Sequence, residues 1–191
     1  MHEKKQAREL INKKFNNLSK ENKSSFDKKI FKHFKSFFKD YDEILNIGSY
    51  WAISNEVETS FINDYIASKG LNLFLPRISN KNKIKKLNFY KYSNSEILEK
   101  NKYGIPEPSE KNQYIDLIEL DFIIIPLRAF DLNFSRLGYG GGYYDSSLQD
   151  VKKENRIGLS YEFQKMNKID VEDHDAELGG VITPNGYFKK A

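Results

Sequence analysis

Hydrophobic residues recur at helical spacing along the first part of the chain. Over residues 3–18 the apolar side chains lie three or four positions apart, which predicts an amphipathic helix. A second helix is predicted to begin near Ser24 or Ser25, which are suitable N-cap residues. A third is predicted over residues 56–69, with Gly70 as the residue that follows its C-terminus.

Short apolar stretches between these helices predict strands. They cover residues 44–49, 71–75, 87–92, 120–125 and 156–159. Pro76 is expected to end the second strand, and residues 120–125 are apolar throughout, as in a parallel strand covered on both faces. Loops are predicted at residues 50–55, 103–108 and 126–142, and a last helix at residues 143–152.

Alternation of strands and helices predicts an α/β fold with a largely parallel sheet. Because no internal repeat or flexible linker interrupts the 191 residues, we expect a single domain over residues 1–191. Ligands of such sheets bind beyond the carboxyl ends of the strands, which is where the loop after Ile125 would lie.

Composition excludes several classes of protein. The chain has no cysteine, so disulfide scaffolds, zinc ribbons and thiol nucleophiles are ruled out. Its longest strongly apolar run, residues 122–127, is far shorter than the roughly 20 residues of a membrane helix. The charged first residues are followed by no apolar stretch, so we expect no signal peptide and a cytoplasmic protein without a membrane partner.

Positive charge is concentrated at the start of the chain. Residues 1–40 hold twelve lysines and arginines against five acids, although the net charge of the whole chain is only +4. This surface could contact an anion, such as a nucleic acid or a phosphate ester, or could be a solvated helix face. The same two interpretations apply to the compact basic group of Lys4, Lys5 and Arg8.

Residues 136–145 form the most informative segment, Arg-Leu-Gly-Tyr-Gly-Gly-Gly-Tyr-Tyr-Asp. It holds four of the eleven glycines, and glycine lets consecutive backbone amides turn toward a bound anion. Arg136 could bind phosphate through two hydrogen bonds, and Asp145 could hold Mg²⁺. The segment is neither a dinucleotide-binding fingerprint nor a P-loop, and a glycine-rich surface turn is the alternative.

Other candidate residues have ordinary structural explanations as well. Glu56 and Glu58 precede a helix, where acids are favourable in themselves, and Trp51 fits either a core or a binding site. We interpret the acidic cluster around His174 as a charged surface turn; its members are Asp170, Glu172, Asp173 and Asp175. No Ser, His or Cys arrangement for nucleophilic catalysis is present, so phosphate binding and positioning are the expected chemistry.

Further motifs accompany the glycine-rich segment in a fixed order. They are Lys4 to Arg8 and residues 55–59, 75–77, 103–108, 121–126, 129–131, 174–175 and 182–183. In this order they resemble the 5-formyltetrahydrofolate cyclo-ligase family, also called 5,10-methenyltetrahydrofolate synthetases, over nearly the whole chain. The resemblance implies a three-layer α/β/α fold similar to the sugar-phosphate isomerase and CoA-transferase group.

The resemblance also implies an activity: ATP- and Mg²⁺-dependent closure of 5-formyltetrahydrofolate to 5,10-methenyltetrahydrofolate, with release of ADP and phosphate. We expect it to pass through a phosphorylated formyl group, an iminium phosphate. The implied catalytic residues are Arg136, Tyr144 and Asp145, and the implied metal ligands are Asp145 and Asp175. ATP would be bound by Lys4, Lys5, Arg8, Arg136, Leu137, Gly138, Tyr139, Gly140, Gly141, Gly142, Tyr143 and Tyr144. The folate substrate would be bound by Trp51, Glu56, Tyr139, Gly140, Gly141, Gly142 and Tyr143.

Two positions depart from the family pattern. Arg128 stands where a small residue is common, and Ser146 where arginine is common. Arg128 could reach phosphate or a glutamyl tail, or could replace a turn glycine. The expected partners are the folate and ATP, without nucleic acid, and the expected state is a monomer. The alternatives are an RNA-binding homologue that has lost catalysis and uses the basic N-terminal helices, and a sugar-phosphate isomerase of similar architecture.

Overall fold

The computed structural model describes residues 2–39, 44–79, 85–93 and 97–189. Its α-helices are α1 (His2–Asn16), α2 (Lys20–Phe38), α3 (Ser60–Ser68) and α4 (Tyr143–Ser147). The strands are β1 (Asn46–Gly48), β2 (Asn72–Ile78), β3 (Leu87–Tyr92), β4 (Glu99–Lys100), β5 (Pro106–Glu107), β6 (Tyr114–Ile115), β7 (Phe122–Ile125), β8 (Ala129–Phe130), β9 (Arg136–Leu137), β10 (Arg156–Leu159), β11 (Gly180–Thr183) and β12 (Gly186–Lys189).

Eight strands form one sheet in the order β12-β11-β10-β7-β1-β2-β3-β6. The central strands β11, β10, β7, β1 and β2 are parallel, and antiparallel strands lie at both edges. Two small ladders, β4–β5 and β8–β9, lie outside this sheet. The predicted α/β fold with a mostly parallel sheet is confirmed.

The sheet is buried on both faces, as the apolar run in β7 predicts. Phe122 and Ile124 pack in a core together with residues of α1, α2 and α3. Ile123 and Ile125 face the second core, which is completed by Leu148 after α4 and by irregular segments of the chain. No helix within the described ranges combines the length and the hydrophobicity needed to cross a membrane.

Helix α2 begins earlier than the sequence indicates. Its N-cap is Ser19, whose hydroxyl accepts a hydrogen bond from the Asn22 amide at 3.1 Å. The prediction of a start at Ser24 or Ser25 is therefore wrong, because both lie inside the helix. Helix α1 ends two residues before the predicted position, where the Leu18 amide turns back to bond the Phe15 carbonyl.

Strand β2 continues through Pro76, so the expectation that proline ends it is also wrong. The Asn72 amide donates to the Leu45 carbonyl, and the Phe74 carbonyl accepts from the Ser49 amide, both at 2.9 Å. Because backbone groups alternate between the two sides of a strand, Pro76 presents its missing N–H toward this same side. The pairing with β1 has already ended there, so the proline removes no ladder bond.

Side-chain contacts with the backbone explain two further boundary errors. Helix α3 begins four residues after the predicted start, because Thr59 bonds the Tyr50 carbonyl at 2.7 Å and keeps the preceding segment non-helical. The predicted loop over residues 126–142 contains the hairpin β8–β9. Buried Asp131 orders it by accepting from the Ser135 and Ile169 amides.

The remaining differences concern short elements. Strand β5 lies inside the predicted loop at residues 103–108, and α4 ends before the predicted position 152. Strands β11 and β12 lie where no strand is predicted. Strands β3 and β10 have the predicted bounds, and β1 and β7 lie within theirs.

Candidate active site

A cleft of about 490 Å³ opens at the carboxyl ends of the parallel strands β1, β2 and β7. The loop after β1 contributes Tyr50, Trp51 and Glu56 to its wall. The segment after β7 contributes Pro126 and, beyond the hairpin, residues 138–145. The cleft thus lies where ligands bind in parallel α/β sheets, as expected from the sequence.

The glycine-rich loop between β9 and α4 turns tightly above α1. Gly140 and Gly142 have φ angles of +93° and +73°, which residues other than glycine rarely adopt. A Cβ atom on Gly140 would lie 3.4 Å from Cζ of Arg8. Arg8 also donates from Nε to the Gly138 carbonyl at 2.8 Å, so α1 is docked directly against the loop.

Arg136 lies buried beneath this loop. Its Nη2 donates to Oδ1 of Asp145 at 2.5 Å, and its Nη1 donates to the Pro126 carbonyl at 3.2 Å. The guanidinium lies 5.7 Å from the centre of the Tyr144 ring. The buried Nε of Arg136 has no hydrogen-bond partner within the described parts of the chain, so one N–H donor of the guanidinium is unused.

Lys4 and Asp175 form a second ion pair beside the first. Nζ of Lys4 lies 2.6 Å from Oδ2 of Asp175 and 3.1 Å from Oε1 of Glu172. Burial raises the pKa of Asp175, but the hydrogen bonds from Lys4 and the Glu172 amide outweigh it, and the pKa lies below its ordinary value. The surface-turn interpretation therefore holds for exposed Glu172 and His174, whereas Asp175 is mostly buried.

The two aspartates lie on adjacent segments. Oδ1 of Asp145 accepts a hydrogen bond from the amide of Ala176, the residue after Asp175, at 3.3 Å. Within the described ranges no group of three or more His, Cys, Asp or Glu side chains could hold a metal ion. Mg²⁺ usually needs only one or two carboxylates together with substrate phosphates. Asp145 and Asp175 could therefore supply the carboxylates of such a site.

Glu56 also lines the cleft and is only 6% exposed. Its Oε2 accepts from the Ile53 amide at 2.9 Å. Burial raises the pKa of Glu56 to about 7, against the opposing effects of this hydrogen bond and of nearby Tyr139 and Arg128. The carboxyl group therefore changes charge close to neutral pH.

Several aromatic side chains line the cleft together with Glu56. The half-buried Trp51 packs edge-to-face on Tyr92, with ring centres 5.9 Å apart. Tyr139 donates from its hydroxyl to the Asn55 carbonyl at 3.2 Å, and the hydroxyls of Tyr103 and Tyr143 interact with each other. The lining suits a flat ligand with hydrogen-bond donors at one edge.

Comparison with known proteins identifies the family. Residues 1–184 match the model of the 5-formyltetrahydrofolate cyclo-ligase family. The chain belongs to this family. This cyclo-ligase is therefore a ligase, in agreement with the resemblance found in the sequence.

Curated relatives carry the same family name. The 5-formyltetrahydrofolate cyclo-ligase of Haemophilus influenzae is 32% identical over 140 residues, which cover 72% of this chain and 74% of the relative. That of Mycoplasma genitalium is 30% identical over 168 residues, which cover 86% and 88% of the two chains.

Solved structures share the fold. The NMR structure of Aquifex aeolicus 5,10-methenyltetrahydrofolate synthetase superimposes with a TM-score of 0.82 at 28% identity, covering 97% of this chain and 92% of that one. The Mycoplasma pneumoniae 5,10-methenyltetrahydrofolate synthetase superimposes with a TM-score of 0.77 at 24% identity, covering 95% and 98%.

Most residues that the cyclo-ligase resemblance singles out lie together. Trp51, Glu56, Arg136 and residues 138–145 line the cleft. Lys4, Arg8 and Asp175 do not line it; Arg8 contacts the glycine-rich loop, and Lys4 pairs with Asp175. Lys5 does not line the cleft and is exposed on α1. Leu137 is buried, and its carbonyl accepts from the Arg128 amide in the hairpin.

Two residues at or beside the cleft have roles that the sequence did not reveal. Buried Glu107 lines the cleft and accepts from the Ile78 amide and from Asn101. The only available signal was its position in the motif at residues 103–108. Arg128 is 2% exposed and does not line the cleft, so its suggested contact with phosphate or a glutamyl tail stays a prediction that its burial does not favour.

Proposed function

We propose that this cyclo-ligase closes 5-formyltetrahydrofolate to 5,10-methenyltetrahydrofolate with ATP and Mg²⁺, releasing ADP and phosphate. The observation that carries the proposal is that one cleft has two chemically different halves. One half has Arg136, a glycine-rich loop and Asp145, which suit a triphosphate, and Arg8 contacts this loop. The other has aromatic rings and a buried carboxyl group, which suit a pterin.

In the phosphate half, the loop from Gly138 to Tyr144 supplies backbone amides, while Lys4, Arg8 and Arg136 supply positive charge. The unpaired Nε of Arg136 supports this assignment, because a buried donor without a partner is costly unless a ligand uses it. Lys5 and Leu137 are included in the proposed ATP site only because they are the sequence neighbours of Lys4 and Gly138.

Asp145 and Asp175 would hold Mg²⁺ between this chain and the phosphates of ATP. Bound there, the ion would supply neutralisation of the charge on the transferred phosphoryl group. In the absence of ligand each carboxylate is neutralised by a cation instead, Asp145 by Arg136 and Asp175 by Lys4.

In the folate half, Glu56 would accept hydrogen bonds from the donor edge of the pterin, and Trp51, Tyr139 and Tyr143 would contact its faces. The residues at 140–142 approach from the loop and would place the N5-formyl group near the phosphates. A cleft of about 490 Å³ is within the size range of small-molecule sites.

The chain would act mainly by positioning and electrostatics. The formyl oxygen attacks the γ-phosphorus of ATP, the bond to ADP breaks, and an iminium phosphate remains. N10 then attacks the formyl carbon and loses its proton, and phosphate leaves with the former formyl oxygen. Arg136 and the loop amides would stabilise the negative charge that develops on the phosphoryl group, and Tyr144, which packs against Arg136, would hold it in place.

We also propose that the chain acts as a single domain and as a monomer. None of the contacts proposed above requires a second copy.

Incubation with 5-formyltetrahydrofolate and MgATP tests the proposal. The absorbance of the methenyl product should rise in step with ADP release, and omission of either ATP or Mg²⁺ should prevent it. A folded protein that produces neither would disprove the proposed function.

A further inference from the structure

The side chain of Arg128 is buried and is held by hydrogen bonds and ring contacts. Arg128 directly precedes β8 and is 2% exposed. Its Nη1 donates to the Asn55 carbonyl at 3.0 Å, and its Nη2 donates to the side chain of Asn12 on α1. The guanidinium also lies between two rings, 5.0 Å from the centre of Phe15 and 5.1 Å from that of Tyr139.

These contacts meet next to Glu56. Asn55, the preceding residue, has a φ angle of +65°, which is uncommon for a residue other than glycine. Its carbonyl accepts from both Arg128 and the hydroxyl of Tyr139, which lies 3.2 Å away. Arg128 therefore holds both the left-handed residue that precedes Glu56 and the ring of Tyr139.

We propose that Arg128 is a positioning residue that fixes the orientation and the charge of Glu56, and with them the folate half of the cleft. This inference rests on the proposed function as far as the folate is concerned. Arg128 does not line the cleft, so it acts through Asn55 and Tyr139 rather than by touching the substrate.

The charges around Glu56 give Arg128 a distinct electrostatic effect. The groups that face the Glu56 carboxyl group are Tyr50, Glu58, Arg128, Tyr139 and Tyr144. Among these five only Arg128 is a cation, and it opposes the rise in the pKa of Glu56 that burial causes. Loss of its charge should therefore raise that pKa further, so that the carboxylate forms only at higher pH.

Kinetics of Arg128→Gln and Arg128→Lys test this role. We expect Arg128→Gln to raise KM for 5-formyltetrahydrofolate about tenfold while KM for MgATP changes by less than about twofold. The acid limb of kcat/KM for the folate should move to higher pH. Arg128→Lys should restore the acid limb, because it keeps the charge, but should recover KM only in part, because it lacks the planar group. Equal changes in both KM values, or an unmoved acid limb, would overturn the proposal.

A matched control separates this role from a loss of stability. Arg77 is also largely buried and pairs with Glu99 and Glu110, but it does not line the cleft or face Glu56. Arg77→Gln should lower the melting temperature without moving the acid limb. A shift of the limb in this variant as large as in Arg128→Gln would count against a specific role for Arg128.

A measurement that needs no turnover distinguishes failure of this inference from failure of the proposed function. The Glu56 carboxyl group can be titrated by ¹³C NMR, with Glu56→Gln for assignment. Its pKa should be higher in Arg128→Gln than in the unchanged protein and nearly unchanged in Arg128→Lys. Equal values in all three proteins would refute the inference, whereas absent turnover with the expected shifts would refute only the proposed function. If Arg128→Gln does not fold, Arg128→Lys alone decides, because a raised pKa in that variant contradicts the electrostatic role.

Discussion

Nη2 of Arg136 lies 2.5 Å from Oδ1 of Asp145, beneath the glycine-rich loop. The Arg136 side chain is only 2% exposed, so in the absence of a ligand the carboxylate is its neutralising partner. In the complex proposed above, the guanidinium would instead face phosphate and the carboxylate would be free to bind Mg²⁺. The same exchange applies to Lys4 and Asp175.

The first prediction concerns Asp145. Asp145→Asn should lower kcat/KM by about a hundredfold or more, because the amide binds Mg²⁺ poorly and leaves the charge of Arg136 unbalanced. Steady-state kinetics over a range of Mg²⁺ concentrations checks this. Asp150→Asn, the same change at an exposed position five residues further on, serves as the control and should leave kinetics unchanged. Normal activity of Asp145→Asn would remove Asp145 from the proposed metal site.

The second prediction concerns Lys4. Lys4→Met should raise KM for MgATP about tenfold, because a charge-assisted hydrogen bond to phosphate is lost. The affinity for the folate should stay nearly constant in calorimetric titrations. Lys13→Met removes a lysine from an exposed position on the same helix and should change neither quantity. An unchanged KM for MgATP in Lys4→Met would show that Lys4 serves only the ion pair with Asp175.

The third prediction compares two glycines with positive φ. Gly140→Ala and Gly70→Ala should each cost about 1–2 kcal/mol of stability, because both residues are left-handed. Only Gly140→Ala should also weaken ATP binding, because its Cβ would approach the guanidinium of Arg8. Urea unfolding and nucleotide titration measure the two effects. Equal nucleotide affinity in both variants would contradict the role given to the loop.

The fourth prediction is a dependence of stability on pH. Because the pKa of Glu56 is raised to about 7, the folded state binds this proton more tightly than the unfolded state does. Burial of Glu56 therefore costs little below about pH 4, and the cost grows as the pH rises to about 7. Glu56→Gln should be more stable than the unchanged protein by about 3 kcal/mol at pH 8, and by only about 1 kcal/mol at pH 5.

Urea unfolding at the two pH values checks this difference. Glu56→Gln should also bind 5-formyltetrahydrofolate more weakly at pH 8, because the amide cannot accept two hydrogen bonds from the pterin as a carboxylate does. If Glu56→Gln is less stable than the unchanged protein at pH 8 and equally stable at pH 5, the stability difference has the opposite sign. That result would contradict a raised pKa of the buried Glu56 carboxyl group.

The sequence predicts those elements whose pattern is local. The strands β3 and β10 and the doubly buried β7 follow from apolar runs, because their neighbours on both faces demand hydrophobic residues. The start of α2 at Ser19 and the continuation of β2 through Pro76 do not follow. One depends on which of several serines caps the helix, and the other on where the neighbouring strand stops.

The same distinction applies to the candidate site. The glycine-rich segment was found because its residues are consecutive, and the family resemblance supplied Lys4, Glu56 and Asp175 from distant positions. Arg128 and Glu107 could not be placed, because their partners on α1, β2 and the loop after β1 are far away in sequence. Long-range contacts of buried polar groups leave no periodic signal.

Transfer of the formyl oxygen tests the central claim most directly. 5-Formyltetrahydrofolate labelled with ¹⁸O in the formyl group is incubated with the protein and unlabelled MgATP, and the released phosphate is examined by mass spectrometry. The account predicts one ¹⁸O atom in each phosphate, with one methenyl product formed for each ADP. Unlabelled phosphate accompanying product formation would contradict the phosphorylated formyl intermediate, and the absence of product would contradict the proposed cyclo-ligase activity itself.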